Sequence, residues 1–124
     1  ADFRTYLEIK FASYRRLRDE GRGDWYGAVD DRRRLIAGCG LFDDGCGVAR
    51  YQSVVTRPEW RRRGVASALV SQVGSWALAN GLQKIVIVAQ EEGPARLYKT
   101  LGFAPVATPA WTLARSAPTH EEAA

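Results

Sequence analysis

The 124-residue chain has one histidine and two cysteines, and that scarcity removes much of the chemistry open to a protein of this size. His120 lies in Thr119-His120-Glu121-Glu122-Ala123-Ala124, part of a tail over 118–124 that reads as flexible. No Ser-His-Asp triad, Cys-His pair or histidine general base can therefore be built on a structured element. Two cysteines and one histidine cannot supply four zinc ligands without added carboxylates, so no metal is expected. Cys39 and Cys46 fall on what read as two arms of one hairpin. A disulfide is conceivable there, but reduced core thiols in a cytoplasmic protein are the favoured reading. No apolar run approaches the roughly 20 residues of a membrane span, and no secretory leader is visible, although the chain opens on Ala1 rather than Met.

Lysine is also scarce: the net charge of +4 comes from 15 Arg and 3 Lys against 14 acids. Arg15, Arg16, Arg18 and the run Arg32 to Arg34 read as solvated surface. No surface interleaves aromatic with basic residues, so nucleic acid is not an expected partner. Hydrophobic residues at 46% and charged residues at 26% describe one globular domain with a real core, here expected over 1–117.

The most informative stretch is 53–70, Ser-Val-Val-Thr-Arg-Pro-Glu-Trp-Arg-Arg-Arg-Gly-Val-Ala-Ser-Ala-Leu-Val. The β-branched run Val54-Val55-Thr56 must end before Pro58, which cannot donate in a sheet ladder. From Arg61 the spacing of Val65, Leu69, Val73 and Trp76, flanked by Ala66, Val70 and Ala77, predicts the buried face of a helix over 61–79. The turn between them carries three arginines and Gly64. It lies where the first four N–H groups of a helix have no internal partner. Free N–H groups, the helix dipole, cations and a glycine that admits close approach make an anion site suited to phosphate.

Around this stretch the order is mixed. Asp2 can cap a helix with apolar positions Phe3, Tyr6, Leu7, Phe11, Tyr14 and Leu17, ending at Gly21. Strands follow at Trp25 to Val29, Leu35 to Phe42 and Val48 to Thr56, with Asp30-Asp31 and Asp43-Asp44-Gly45 as turns. After the long helix and its stop at Asn80-Gly81, Lys84 to Ala89 reads as a strand buried on both faces, reached by a helical crossover and so parallel to its partner. Glu91-Glu92-Gly93-Pro94 leads into a helix over Ala95 to Leu101. Phe103 to Val106 and Trp111 to Arg115 are the last strands, separated by Thr108-Pro109. The paired glycines at 38 and 40 and at 45 and 47 lack the third glycine and the helix of a dinucleotide fingerprint.

Two blocks carry a family resemblance. Arg61-Arg62-Arg63-Gly64-Val65-Ala66 resembles the (Gln/Arg)-x-x-Gly-x-(Gly/Ala) signature of the GNAT acyltransferase superfamily. Ala95-Arg96-Leu97-Tyr98-Lys99-Thr100-Leu101-Gly102-Phe103 is similar to its second block, A-x-x-L-Y-x-x-L-G-F. The resemblance covers about 24–115. It implies an α/β (α+β) fold with a mixed, largely antiparallel central sheet, a parallel strand pair splayed around the acyl-CoA site, and helices on both faces.

The resemblance further implies that acetyl-CoA is the co-substrate. Its pyrophosphate would be held at Arg61, Arg62, Arg63, Gly64, Val65, Ala66 and Ser67, and its pantetheine arm would pair with the strand edge at Val54, Val55 and Thr56. Tyr98 would be the general acid that protonates the leaving thiolate, since a phenol of reference pKa about 10 can donate to a thiolate near 8.5. Many relatives carry Asn seven residues before this tyrosine; here Glu91 stands there.

No general base follows from the sequence. Val48 to Val55 offers Arg50, Tyr51, Gln52 and Ser53, and the strand at 84–89 has no carboxylate. Glu59 and Glu91 read as solvated loop charges. Water relayed through Gln52 or Ser53, or binding of an already neutral amine, would suffice. The expected function is an N-acetyltransferase acting on a primary amine in a ternary complex, the alternative being a non-catalytic acyl-CoA-binding or sensing module of the same fold. Relatives begin with a strand and a helix before the helix at 3–20, which leaves Trp25 to Val29 as a bare sheet edge. The expectation is a longer polypeptide, or a second copy or another chain, supplying the cover.

Overall fold

The computed structural model describes residues 12–107 and 111–118; the expectations placed on Phe3, Tyr6, Leu7 and Phe11, on Thr108 to Ala110 and on the tail past residue 118 lie outside them. Helix α1 (12–19) precedes β1 (Gly23–Val29), β2 (Leu35–Asp43) and β3 (Val48–Thr56). A 3₁₀ turn at Pro58–Trp60 leads to α2 (Val65–Ala79), β4 (Lys84–Ala89), α3 (Glu92–Thr100), β5 (Ala104–Ala107) and β6 (Trp111–Ser116). The six strands form one sheet in the order β1-β2-β3-β4-β6-β5, with β1 at one edge.

The turns follow from side chains that accept backbone hydrogen bonds. Asp30 Oδ1 accepts from the amides of Arg32 and Arg34, both at 2.9 Å, and Asp43 and Asp44 likewise hold the β2–β3 turn by accepting from Gly45 and Cys46, both at 2.7 Å. These hairpins make β1, β2 and β3 antiparallel. The α2 crossover makes β3 and β4 the parallel pair that the apolar run at 84–89 predicts.

Helices cover both faces. On one face Tyr14 of α1 stacks on Phe42 at 5.0 Å between ring centroids and meets Trp25 edge-on at 5.3 Å. On the other, Leu69, Val70, Val73 and Ala77 of α2 join Ala37, Cys39, Leu41, Tyr51 and Ile85 in the core. Ala95 of α3 and Phe103 complete that core.

Four expectations need correction. Helix α2 starts at Val65, not Arg61, because Arg62 (φ 60°) and Gly64 (φ 79°) adopt left-handed backbone that no α-helix contains. Trp76 is 56% exposed, since the buried arc is set by Leu69, Val70, Val73, Gly74, Ala77 and Leu78 and leaves Trp76 on its margin, where it meets Tyr26 at 6.0 Å. Strand β4 buries Ile85, Ile87 and Ala89 on one face, but Val86 and Val88 on the other are half-exposed. Cys46 is an exposed turn residue rather than a core thiol; Cys39 is buried, and both are free.

Candidate active site

The parallel pair between β3 and β4 lasts three residues: Val48 opposite Lys84, Ala49 opposite Ile85, Arg50 opposite Val86. A bulge in β3 accompanies its end. Gly40 pairs with Gln52 and Gly38 with Val55, so Ser53 and Val54 together stand opposite Cys39 alone, with Ser53 at φ 50°. Such a bulge bends its strand and increases the local twist. Past Arg50, β3 keeps β2 on one edge and has no ladder with β4 on the other.

The gap is a cavity of about 540 Å³. Gln52, Ser53 and Val54 line it from β3, Ile87, Val88 and Ala89 from β4, and Pro94 and Tyr98 from α3. Tyr98 is half-buried, and its ring packs at 6.2 Å from that of Phe103. Burial pushes its phenol pKa above the usual value, with the Cys39 thiol adding in the same direction. At neutral pH the group is therefore a proton donor and not a phenolate. Tyr51, deeper in the same wall, is raised further by burial, and its hydroxyl donates a 2.7 Å hydrogen bond to the Val70 carbonyl.

A second hollow, of about 330 Å³, lies at the end of β3, where Thr56 meets Trp60, Arg61, Arg62, Gly64, Val65, Ala66, Ser67 and, from α3, Leu97. The first helical bond here runs from Ala68 N to Gly64 O at 3.0 Å. Among the described residues the backbone N–H groups of 62–67 donate no backbone hydrogen bond. A row of free donors at a helix start, with two left-handed residues aiming them, is an anion-binding arrangement. Arg61 Nε donates to Thr56 O at 3.2 Å, tying the turn to the strand end.

The residues singled out from the sequence thus separate into groups. Val54 and Tyr98 line the splayed cavity, while Thr56, Arg61, Arg62, Gly64, Val65, Ala66 and Ser67 line the turn hollow. Val55 and Arg63 line neither. The bulge leaves the Val55 side chain 61% exposed, and the Arg63 guanidinium lies 4.2 Å over the Trp60 ring. Of the two carboxylates weighed as bases, Glu59 pairs with Arg57 at 3.7 Å and Glu91 precedes α3, exposed; neither lines the splayed cavity. The sequence named Arg50 only among the side chains that β3 offers where a base was sought, and it gave Leu97 and Trp60 no role. Leu97 sits inside the second motif, and Trp60 next to the arginine run was the available sign of a ring under a guanidinium.

Known proteins share this fold. The family profile described as acetyltransferase (GNAT) domain matches residues 21–105. An acetyltransferase of Photorhabdus laumondii is 37% identical over 59 residues, which are 48% of this chain and 40% of that protein, so the match spans well under two thirds of the relative's length. Among solved structures, a spermidine N-acetyltransferase chimera from Vibrio cholerae and hSSAT superposes with a TM-score of 0.72 at 17% identity, over 88% of this chain and 75% of that one. The PaiA N-acetyltransferase of Thermoplasma acidophilum, solved with coenzyme A, gives 0.66 at 15% identity, over 77% and 61%. At those identities the structural likeness establishes the fold alone. Together with the profile match over 21–105, it means that the chain belongs to the GNAT acetyltransferase family.

Proposed function

We propose that the chain is an N-acetyltransferase that moves the acetyl group of acetyl-CoA directly to a primary amine of an acceptor. The observation that carries this reading is that β3 contributes to both hollows in turn: Thr56 to the one at the turn with its free donors, and Gln52 to Val54 to the splayed cavity with Tyr98. In this reading the amides of Arg62 to Ser67 bind the pyrophosphate, assisted by the cationic turn, and Gly64 keeps the approach clear. The unpaired edge of β3 at Val54, Val55 and Thr56 offers backbone groups to the amide-bearing pantetheine arm.

The amine nitrogen attacks the thioester carbonyl carbon, a C–N bond forms and the C–S bond breaks. The Tyr98 proton goes to the departing sulfur, and the amine's surplus proton leaves through water held near Gln52 or Ser53 to restore the phenol. Among the described residues no carboxylate lines the cavity, so the acceptor enters as the neutral amine. Acetyl-CoA chemistry of this kind suits a cytoplasmic protein.

Release of free thiol from acetyl-CoA, measured across amino acids, polyamines, aminoglycosides and peptide N-termini, tests the proposal. Thiol release that depends on an added amine supports it. Coenzyme binding without release under any amine would leave an acyl-CoA-binding module in its place.

A further inference from the structure

Arg50 is a cation in the middle of a six-stranded sheet. Its neighbours across the ladder are Phe42 on one side and Val86 on the other, and along its own strand it stands between buried Ala49 and Tyr51. A charged residue there is costly unless its head reaches water or a partner. Arg50 is exposed, and among the described residues no hydrogen bond or ion pair engages its side chain. It lines the splayed cavity and also a third hollow, of about 400 Å³, on the α1 face of the sheet, and it is the one cationic side chain among the described residues lining either.

Gln52 lies two residues on, along the same face, and also lines both spaces. Its Oε1 accepts a 2.9 Å hydrogen bond from the Tyr14 hydroxyl, which leaves its Nε2 group as a donor without a partner among the described residues. A free guanidinium and a free carboxamide NH₂ therefore stand side by side where the two hollows meet, and both can only donate. The two carboxylates that also line this third hollow are already engaged. Asp44 Oδ1 takes the Cys46 and Val48 amides at 2.7 and 3.3 Å, and Asp43 Oδ1 takes the Gly45 amide with Arg22 Nε at 3.8 Å. The remaining walls are apolar: Leu17, Phe42, Val48 and Val86.

We infer that the acceptor is an amine carrying a carboxylate, of the amino-acid class with an apolar side chain, and that Arg50 with Gln52 holds that carboxylate at the vertex of the splay. The inference rests on the acyltransferase reading above. A guanidinium presents paired donors that match a carboxylate, and the same charge repels an acceptor bearing a second ammonium. Arg50 is then a specificity residue, and the hollow on the α1 face takes the side chain.

The test compares L-leucine with L-leucinamide and L-phenylalanine with L-phenylalaninamide as acceptors, following thiol release. Each amide has the more weakly basic amine and so offers more neutral nucleophile, which means a preference for the acid cannot come from amine availability. The wild-type protein should favour each acid by roughly 10- to 100-fold in kcat/KM, the range of charge-assisted hydrogen bonds. Arg50→Ala should abolish the preference and Arg50→Glu should reverse it, while both variants titrate CoA with wild-type affinity.

Equal use of acid and amide, better turnover of spermidine than of either acid, or a preference that survives Arg50→Ala overturns the inference. If no amine releases thiol, the acyltransferase reading has failed separately, and calorimetry with N-acetyl-L-leucine and N-acetyl-L-leucinamide on the CoA-saturated protein still decides. Tighter binding of the acid, lost in Arg50→Ala, upholds the carboxylate site. Equal binding refutes it.

Discussion

The Tyr51 hydroxyl of β3 donates a 2.7 Å hydrogen bond to the Val70 carbonyl within α2, fixing the helix against the strand whose end it must meet at the anion-binding turn. Gly74, one turn on, makes room for this contact: a Cβ there would fall 2.6 Å from both the Tyr51 Oη and the Ile85 Cδ1. Tyr51→Phe should cost about 1 kcal/mol, the net worth of one hydrogen bond. Gly74→Ala should cost more, about 1–3 kcal/mol, because two well-packed side chains must move. Urea denaturation of the two variants measures both; a neutral Gly74→Ala would show that α2 can slide on the sheet.

Tyr98→Phe keeps the ring against Phe103 and removes the proton. On the proposed mechanism kcat falls about 100-fold, with little change in the dissociation constant for CoA. Because burial raises the phenol pKa, the alkaline limb of the wild-type rate should lie above the value for a free tyrosine. An unchanged kcat in pre-steady-state measurements would reduce Tyr98 to a packing residue.

Gly64 separates conformation from charge. At φ 79° any other L-residue is strained, but a Cβ there meets nothing within 4 Å, so Gly64→Ala tests the backbone alone and should cost about 1 kcal/mol of stability. Gly64→Asp adds a negative charge to the row of free amides and should weaken CoA binding by about 100-fold or more beyond the alanine variant. Calorimetry showing equal affinity for the two variants would remove the pyrophosphate from this turn.

Stability should fall in alkali for a specific reason. Burial raises the Cys39 thiol from its usual 9.0 to about 11, and Tyr26, Tyr51 and Tyr98 are raised by burial as well. A raised folded-state pKa gives stability that is complete below the unfolded value and is lost as pH rises through the folded one. For Cys39 that window runs from pH 9.0 to about 11 and is worth roughly 2–3 kcal/mol. Cys39→Ala should flatten this part of the stability curve, as read by chemical denaturation at stepped pH. An unaltered slope would show that the thiol ionises outside the fold's control.

The strand–turn–helix at 54–70 is legible in the sequence because Pro58 cannot donate in the ladder and Gly64 admits the left-handed backbone that the turn needs. The parallel pairing of β3 with β4 is legible because an apolar run follows a helical crossover. The bulge at Ser53 is not: nothing in Gln52-Ser53-Val54 demands a left-handed serine, and the bulge arises from registering β3 against β2 while it leaves β4. Missing it, periodicity alone could not say that Val54 and Thr56 face the cavities while Val55 faces away. Trp76 shows the same limit, since a helical period places a residue near an arc but the facing strands decide where the arc ends. Arg50 is legible as a strand residue, but only the ladder puts Phe42 and Val86 beside it.

The destination of the acetyl group distinguishes direct transfer from every alternative. Acetyl-CoA labelled in the acetyl group, incubated with the protein and an amine acceptor in a single turnover, with protein and acceptor then weighed by mass spectrometry, follows it directly. Direct transfer predicts label on the acceptor nitrogen, none on the protein, and no thiol released when the amine is left out. Label on the protein, or thiol released at the same rate without the amine, contradicts it.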